Sequence, residues 1–365
     1  MPPAPGPSRP KVVLSGFFGR GNCGDEALLQ AQYERLAAHY DIVISVDERG
    51  ACDGFWDRHP YDRCRIVHQG NLAAVAESDV VGIHVGGGGL PHGFNAAQVV
   101  VARSRGKPAF ITGVDCPAFA PAGAAAVACY YGLFDVVSVR SAAARESLAT
   151  IVPGCHGGAD WAVGLPTAGA TPVPRSPTAL LTLREFPVAV MTPDYLGHVS
   201  ELITALERRY RRVKLLPFCP EDDRFLDKVP PAARLARERH WWDPRSMQRE
   251  IAAAEVVVSV GRLHPLVFAA NVGTPAAFVE PLPGDARWST SRKARELCTE
   301  HGWPYFVDVT AFGQAAASEP ETVFRPSGFA AGTRERAEEM RVLLERGLAA
   351  AAAAQGSDSA RFRAA

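Results

Sequence analysis

The segment Ser259–Glu280, SVGRLHPLVFAANVGTPAAFVE, constrains the fold more than any other, because it packs a strand, a polar turn, a helix and a second strand into little more than twenty residues. Val256–Val260 is a β-branched run of the length of a strand buried on both faces, as in a parallel sheet. Gly261 breaks it, Pro265 suits the first helical position, Gly273 suits the stop, and Pro275–Val279 resumes as strand. A strand that feeds a helix through so tight a turn aims the helix's unpaired N–H groups at the crevice beyond the strand's carboxyl edge. Arg262 and His264 fall in that turn, one a permanent planar cation and the other a group able to exchange a proton near neutral pH. The pattern predicts an anion site, against the plainer possibility of a surface arginine and a helix-capping histidine.

A chain of 365 residues exceeds the size at which a single core keeps growing, so two domains are expected. With 47% hydrophobic and 21% charged residues the composition is that of an ordinary globular protein, and the zero net charge argues against a broad nucleic-acid surface. Any anion site must therefore be local. The eight cysteines form no C-x-x-C pair and no zinc-finger spacing, so they read as reduced thiols of a cytosolic protein, with no metal motif. The Pro-rich start, MPPAPGPSRP, has no apolar core of a signal peptide. Pro117–Val137 is very apolar but interrupted by Pro121, Gly123 and Gly132, which predicts a buried helix and strand rather than a membrane span.

In the amino-terminal half, a strand from Lys11 runs into Gly19, Gly21 and Gly24, which match the G-x-G-x-x-G dinucleotide fingerprint, and Asp47 falls near the place of a ribose-binding acid. Asp25 and Glu26 argue against that reading, since they complement the helix dipole themselves and repel a second anion. Asn22, Asp25 and Glu26 either cap the helix or face a neutral, hydroxyl-bearing ligand. A strand over Asp79–Val85 ends in four glycines, among them Gly88 and Gly89, whose exposed backbone can approach a ligand, with His92 just beyond. His84, inside that strand, reads as a core histidine. Arg140 stands at the tip of the strand Asp135–Val139, either as a ligand-binding group or in an interdomain ion pair.

Residues 167–178 carry the proline content of a linker. After it, Ala179–Leu183 delivers Arg184 at a strand tip, followed by Phe186. Asp222 and Asp223 either cap a helix or grip sugar hydroxyls. Trp241 and Trp242 are adjacent aromatics, either both packing, the favoured reading, or one packing while the other meets ligand, and Trp288 precedes a helix start bearing Arg292 and Lys293. The strand and helix alternation predicts α/β architecture with doubly wound parallel sheets. The expected division is a leader at 1–10, a domain over 11–166, the linker, a domain over 179–330, and a terminal helix and tail over 331–365, with a cleft between the domains.

The ordered set G-x-G-N-x-G-D-E-A-L (Gly19–Leu28), G-G-G-G-L (Gly86–Leu90), S-V-R (Ser138–Arg140), L-R (Leu183–Arg184), D-D (Asp222–Asp223) and G-R-L-H with a following A-A-x-x-G-x-P (Gly261–Pro275) resembles the polysaccharide pyruvyl transferase family over about residues 11–310. The resemblance implies two Rossmann-like domains facing a cleft, as in B-type glycosyltransferases. It also implies phosphoenolpyruvate as co-substrate with no cofactor or metal. Donor contacts are then implied for Arg262, Leu263 and His264, with Arg140 and Arg184 as further cations, since fixed guanidinium groups and a helix end can hold a phosphate and a carboxylate together. His264 becomes the candidate acid and Asp25 or Glu26 the candidate base, with Asn22, Asp25, Gly88, Gly89, His92, Asp222 and Asp223 on the acceptor side. Ser141 after the S-V-R arginine, Pro91 and the tryptophan pair depart from the family pattern. The acceptor is therefore left open among sugars, nucleosides and small metabolites, as is assembly into a homo-oligomer. A nucleotide-sugar glycosyltransferase of the same architecture is the alternative.

Overall fold

The β-branched runs form two separate parallel sheets. A computed structural model describes residues 9–47, 55–57, 60–116, 119–166, 174–185, 192–280 and 289–364. Residues 1–8 of the expected leader, residues 167–173 of the expected linker, Cys52, Phe186 and Trp288 lie outside them. The first sheet comprises β1 (Lys11–Ser15), β2 (Asp41–Val46), β3 (Arg65–His68), β4 (Val80–Gly86), β5 (Ala109–Val114), β6 (Val136–Val139) and β7 (His156–Gly157). Their order is β3-β2-β1-β4-β5-β6-β7. The second comprises β8 (Ser176–Leu183), β9 (Arg212–Leu215), β10 (Ala236–Arg237), β11 (Ala254–Val260), β12 (Ala276–Val279) and β13 (Tyr305–Phe306), in the order β10-β9-β8-β11-β12-β13. Every strand pairing is parallel.

Both orders reverse direction beside the first strand of the sheet. Such a switch point opens a crevice outside the carboxyl ends of the two central strands, β1 and β4 in one sheet, β8 and β11 in the other. The two central strands of the second sheet are buried almost throughout, which is why their sequences are continuous apolar runs rather than alternating ones.

The chain divides into two units. One contains Met1–Arg20, Leu28–Trp161 and Glu335–Ala365; the other contains Gly21–Ala27 and Ala162–Arg334. Each has its own core. In the first, Val13, Val43, Ile83, Val85 and Ile111 of the sheet pack with Val99, Ala102 and Leu148 of the helices. The terminal helix Thr333–Ala364 belongs to this unit by its described contacts: Met340, Leu344 and Leu348 are buried, and Arg35 pairs with Glu338 and Glu345. In the second, Leu181, Leu183, Val258 and Val260 pack with the helix Pro193–Arg209, whose buried Tyr195, Val199, Leu202, Ile203 and Leu206 recur at helical spacing. No described helix is long and apolar enough to cross a membrane, and no disulfide joins the described cysteines.

Candidate active site

The site lies in the second unit, at the carboxyl edge of β8 and β11. β8 ends at Leu183, and the Arg184 amide donates to the Val260 carbonyl at 3.1 Å, which holds the two strand tips side by side. β11 ends at Val260; Gly261 turns the chain at φ +80°, a conformation costly for any residue with a Cβ. The helix His264–Val272 follows, with Pro265 in its first turn and Gly273 as its left-handed stop. Arg184, Arg262 and His264 are thus delivered to one switch point by local chain geometry.

Asp222 organises the two arginines. It is fully buried, and Arg262 donates to it in a fork, Nε to Oδ2 at 2.9 Å and Nη2 to Oδ1 at 2.6 Å. The amides of Glu185 (2.8 Å) and Phe218 (3.2 Å) donate to the same carboxylate. Asp222 was expected to meet acceptor hydroxyls; its oxygens are instead occupied by an arginine and two backbone donors, because it sits inside the helix Pro220–Leu226 facing the sheet. Asp223, expected beside it, is engaged by Arg237 at 3.3 Å and Arg239 at 3.0 Å. Arg262 Nη2 also reaches Cys219 Sγ at 2.9 Å. Cys219 caps the same helix, its sulfur accepting from the Asp222 amide, and burial pushes its thiol up to about 12.

The electrostatics of the two guanidinium groups differ. Burial alone would lower the Arg262 pKa, but Asp222, aided by Cys219 and Asp25, outweighs it and the pKa is raised. Arg184 is lowered to about 10, first by burial and then by repulsion from Arg262, against the attraction of Asp222, Cys219 and Asp25. A second cation held near the first in a poorly hydrated place favours an arriving anion.

The segment Gly21–Ala27 completes the site within the same unit. The Cys23 amide donates to the Phe218 carbonyl at 2.8 Å, anchoring the start of the helix Cys23–Leu36 beside the loop after β9. Gly24 lies so close to His264 that a Cβ there would collide with Nδ1 and Cγ of the imidazole. Gly21 lies against Trp242, whose Cζ2 would be 2.8 Å from an added Cβ. Asn22 Oδ1 accepts from the Gly24 amide at 3.3 Å while its Nδ2 donates to Asp25 at 2.6 Å. Glu26 is buried and accepts from the Gly21 amide at 3.2 Å, bracing the turn that precedes the helix, whose Gly24 amide is bonded by Asn22. Asp25 is half-buried and contributes to the field at both arginines.

The structure therefore brings together Asn22, Asp25, Glu26, Arg184, Asp222, Arg262 and His264. Leu263, an expected donor contact, is 6% exposed at the start of its helix. Arg140, Gly88, Gly89 and His92 belong to the other unit. There Arg140, expected at the donor, is 3% exposed and donates to Asp160 at 2.8 Å, a buried pair inside its own unit. His92 packs edge-on against Phe119 and Tyr131. Asp47, at the place of a ribose-binding acid, pairs with Arg20, consistent with the rejection of the dinucleotide reading. Cys219 was missed as a site neighbour, though its position immediately before Pro220, where a helix takes its cap, was an available signal; of the tryptophan pair, Trp242 lies against Gly21.

Solved structures with this fold include a UDP-N-acetylglucosamine 2-epimerase described as putative from Listeria monocytogenes (12% identity, TM-score 0.54, covering 92% of this chain and 91% of that one). They also include MurG of Acinetobacter baumannii (12%, 0.52, 92% and 95%) and a UDP-glucosyltransferase from Polygonum tinctorium (14%, 0.53, 95% and 99%). At such identities the likeness establishes the α/β fold of B-type glycosyltransferases and related epimerases. No curated protein sequence matches the chain significantly. The profile for polysaccharide pyruvyl transferase matches residues 22–281, a span that holds every residue of the Arg184–Arg262–His264 site. The chain is a transferase and belongs to the polysaccharide pyruvyl transferase family.

Proposed function

We propose that the protein transfers a pyruvyl group from phosphoenolpyruvate to two hydroxyls of a sugar or sugar-like acceptor, giving a cyclic ketal and phosphate. The observation that carries this reading is the pair of guanidinium groups at the strand tips: Arg262, held by the buried Asp222 at the start of a helix, and Arg184, which feels both Arg262 and Asp222. Phosphoenolpyruvate places a phosphate and a carboxylate on one small frame, and two fixed cations suit that pair of anions.

His264 protonates the methylene carbon, which moves the positive charge to C2. An acceptor hydroxyl attacks C2 and loses its proton; the C2–O bond to phosphate breaks, and a second hydroxyl closes the ketal. Of the two hydroxyl protons, one replaces the proton that His264 gave to carbon and the other leaves on phosphate, so the balance is phosphoenolpyruvate plus diol to ketal plus hydrogen phosphate. Asp25, half-buried in the first helical turn, is the group of this segment that orients or deprotonates the hydroxyl, with Glu26 bracing the preceding turn through the Gly21 amide.

The test is phosphate release from phosphoenolpyruvate against a panel of sugar, nucleotide-sugar and nucleoside acceptors. His264→Ala should lower turnover by about a hundredfold to ten-thousandfold. Wild-type turnover in that variant would remove His264 from the mechanism. A thermal shift with a nucleotide sugar and none with phosphoenolpyruvate would replace the reading with a glycosyltransferase.

A further inference from the structure

We propose that Glu238, His240 and Glu250 form a divalent-cation site that fastens the segment carrying Trp242. The three residues come from different pieces of the second unit. Glu238 and His240 follow the short strand β10, and Glu250 lies on the helix Pro244–Ala253. One ligand atom from each lies within 4.8 Å of the others, and His240 Nε2 stands 3.9 Å from both Glu238 Oε2 and Glu250 Oε1. That separation is too long for a hydrogen bond.

A second observation concerns the nitrogen itself. Although the His240 side chain is 30% exposed, Nε2 has no solvent contact and no hydrogen-bond partner. A polar nitrogen withdrawn from water and aimed between two carboxylates is in the wrong place for a surface histidine. Lys214 holds Oε1 of Glu238, which leaves Oε2 turned toward His240. An ion inside this triangle would sit roughly 2.2–2.5 Å from each atom, and a slight closure brings the nitrogen and the oxygens to ordinary zinc or manganese distances. One imidazole and two carboxylates suit those ions, with water completing the shell. The charges agree: two carboxylates against Lys214 leave one negative charge for the cation to meet. The sequence hides the site because Glu250 is ten residues beyond His240, outside any compact ligand motif.

The consequence reaches the substrate site. Trp242 lies two residues past His240 and packs against Gly21, and Asp243 caps the helix that bears Glu250 through the amides of Arg245 and Ser246. An ion bridging Glu238 and His240 to Glu250 ties both ends of that short connection and fixes the indole beside the Gly21–Asp25 turn.

Full-length protein stripped with chelator would be titrated calorimetrically with Zn²⁺ and, separately, Mn²⁺, and melted with and without each ion. Saturable one-to-one binding is expected for at least one ion, with Tm rising by about 5 °C at a hundred times the dissociation constant. Glu250→Gln, which preserves shape, and His240→Ala should each weaken binding by at least about tenfold while unliganded Tm stays within a few degrees of wild type. Absence of heat and of any Tm shift with both ions overturns the site. So does unchanged affinity in both variants. A Tm that ignores the ions but falls as pH rises through the histidine range would show that an imidazolium, not a metal, bridges the carboxylates, and would equally overturn it.

Discussion

Arg184 offers the sharpest test of the electrostatic argument, because it predicts that removing a residue proposed to bind the donor makes the unliganded protein more stable. Its pKa falls from 12.5 to about 10 in the folded chain, chiefly by burial and by Arg262. Each unit is worth about 1.4 kcal/mol, so the charged form is disfavoured by at most about 3.5 kcal/mol. The sign follows from the folded value lying below the unfolded one. The cost is present in full at every pH below about 10 and fades between there and 12.5, so assays at neutral pH sit in the full window. Arg184 is half-buried rather than fully enclosed, and the residual solvent reduces the sum to about 1–2 kcal/mol. Arg184→Met keeps the hydrocarbon stem and removes the charge. Unliganded Tm should rise by about 3–6 °C for a unit of this size, while the rise induced by phosphoenolpyruvate disappears. In the wild type that rise corresponds to about 2.7 kcal/mol at a hundred times the dissociation constant. Scanning fluorimetry with and without phosphoenolpyruvate reads both effects. A folded Arg184→Met protein that melts several degrees below wild type, or that retains the full ligand-induced shift, would refute the reasoning.

Other consequences follow from the same geometry. Gly24→Ala should lower kcat/KM by about a hundredfold with little change in unfolding free energy, since the new methyl displaces the imidazole of His264; near-normal kinetics would mean that the ring position is unimportant. Asp222→Ala should cost about 3–5 kcal/mol in urea unfolding, because it strands Arg262 beside Arg184 without the buried carboxylate; a loss below about 1 kcal/mol would contradict the role assigned to Asp222. His84 is pushed down to about 3 by burial and stays neutral between Gln32 and Thr112. Below pH 6.5 the unfolded chain takes up a proton that the folded chain refuses, so stability should fall by about 1.4 kcal/mol per pH unit from that source, and His84→Gln should show a correspondingly flatter decline between pH 6.5 and 4.

Much of the fold was legible because local rules and global architecture coincide. Val256–Val260, Gly261, Pro265 and Gly273 each act through their own backbone preferences, and the structure has a strand, a left-handed turn, a helix start and a helix stop where those preferences place them. The short strands β3, β7 and β10 were not legible, since two to four residues carry no periodicity and exist only by pairing at a sheet edge. The site divides along the same line. Arg184, Arg262 and His264 stand at strand tips and a helix start, positions that sequence patterns reveal. Asp222 read as either a helix-capping or a sugar-gripping acid, and only its neighbours in space show it engaged by Arg262 and two amides. Arg140 looked equivalent to Arg184, yet Asp160, twenty residues on, encloses it.

By itself, then, the sequence determined the α/β class, the parallel strands, the family, and which cations stand at strand ends, because each rests on short-range preferences or on an ordered run of motifs. Tertiary structure alone decided which partners those charges meet: Arg140 is paired with Asp160, and Arg262 with Asp222. A carboxylate's partners, the closeness of Gly24 to His264 and the meeting of Glu250 with His240 depend on distances across the fold that no local spacing encodes.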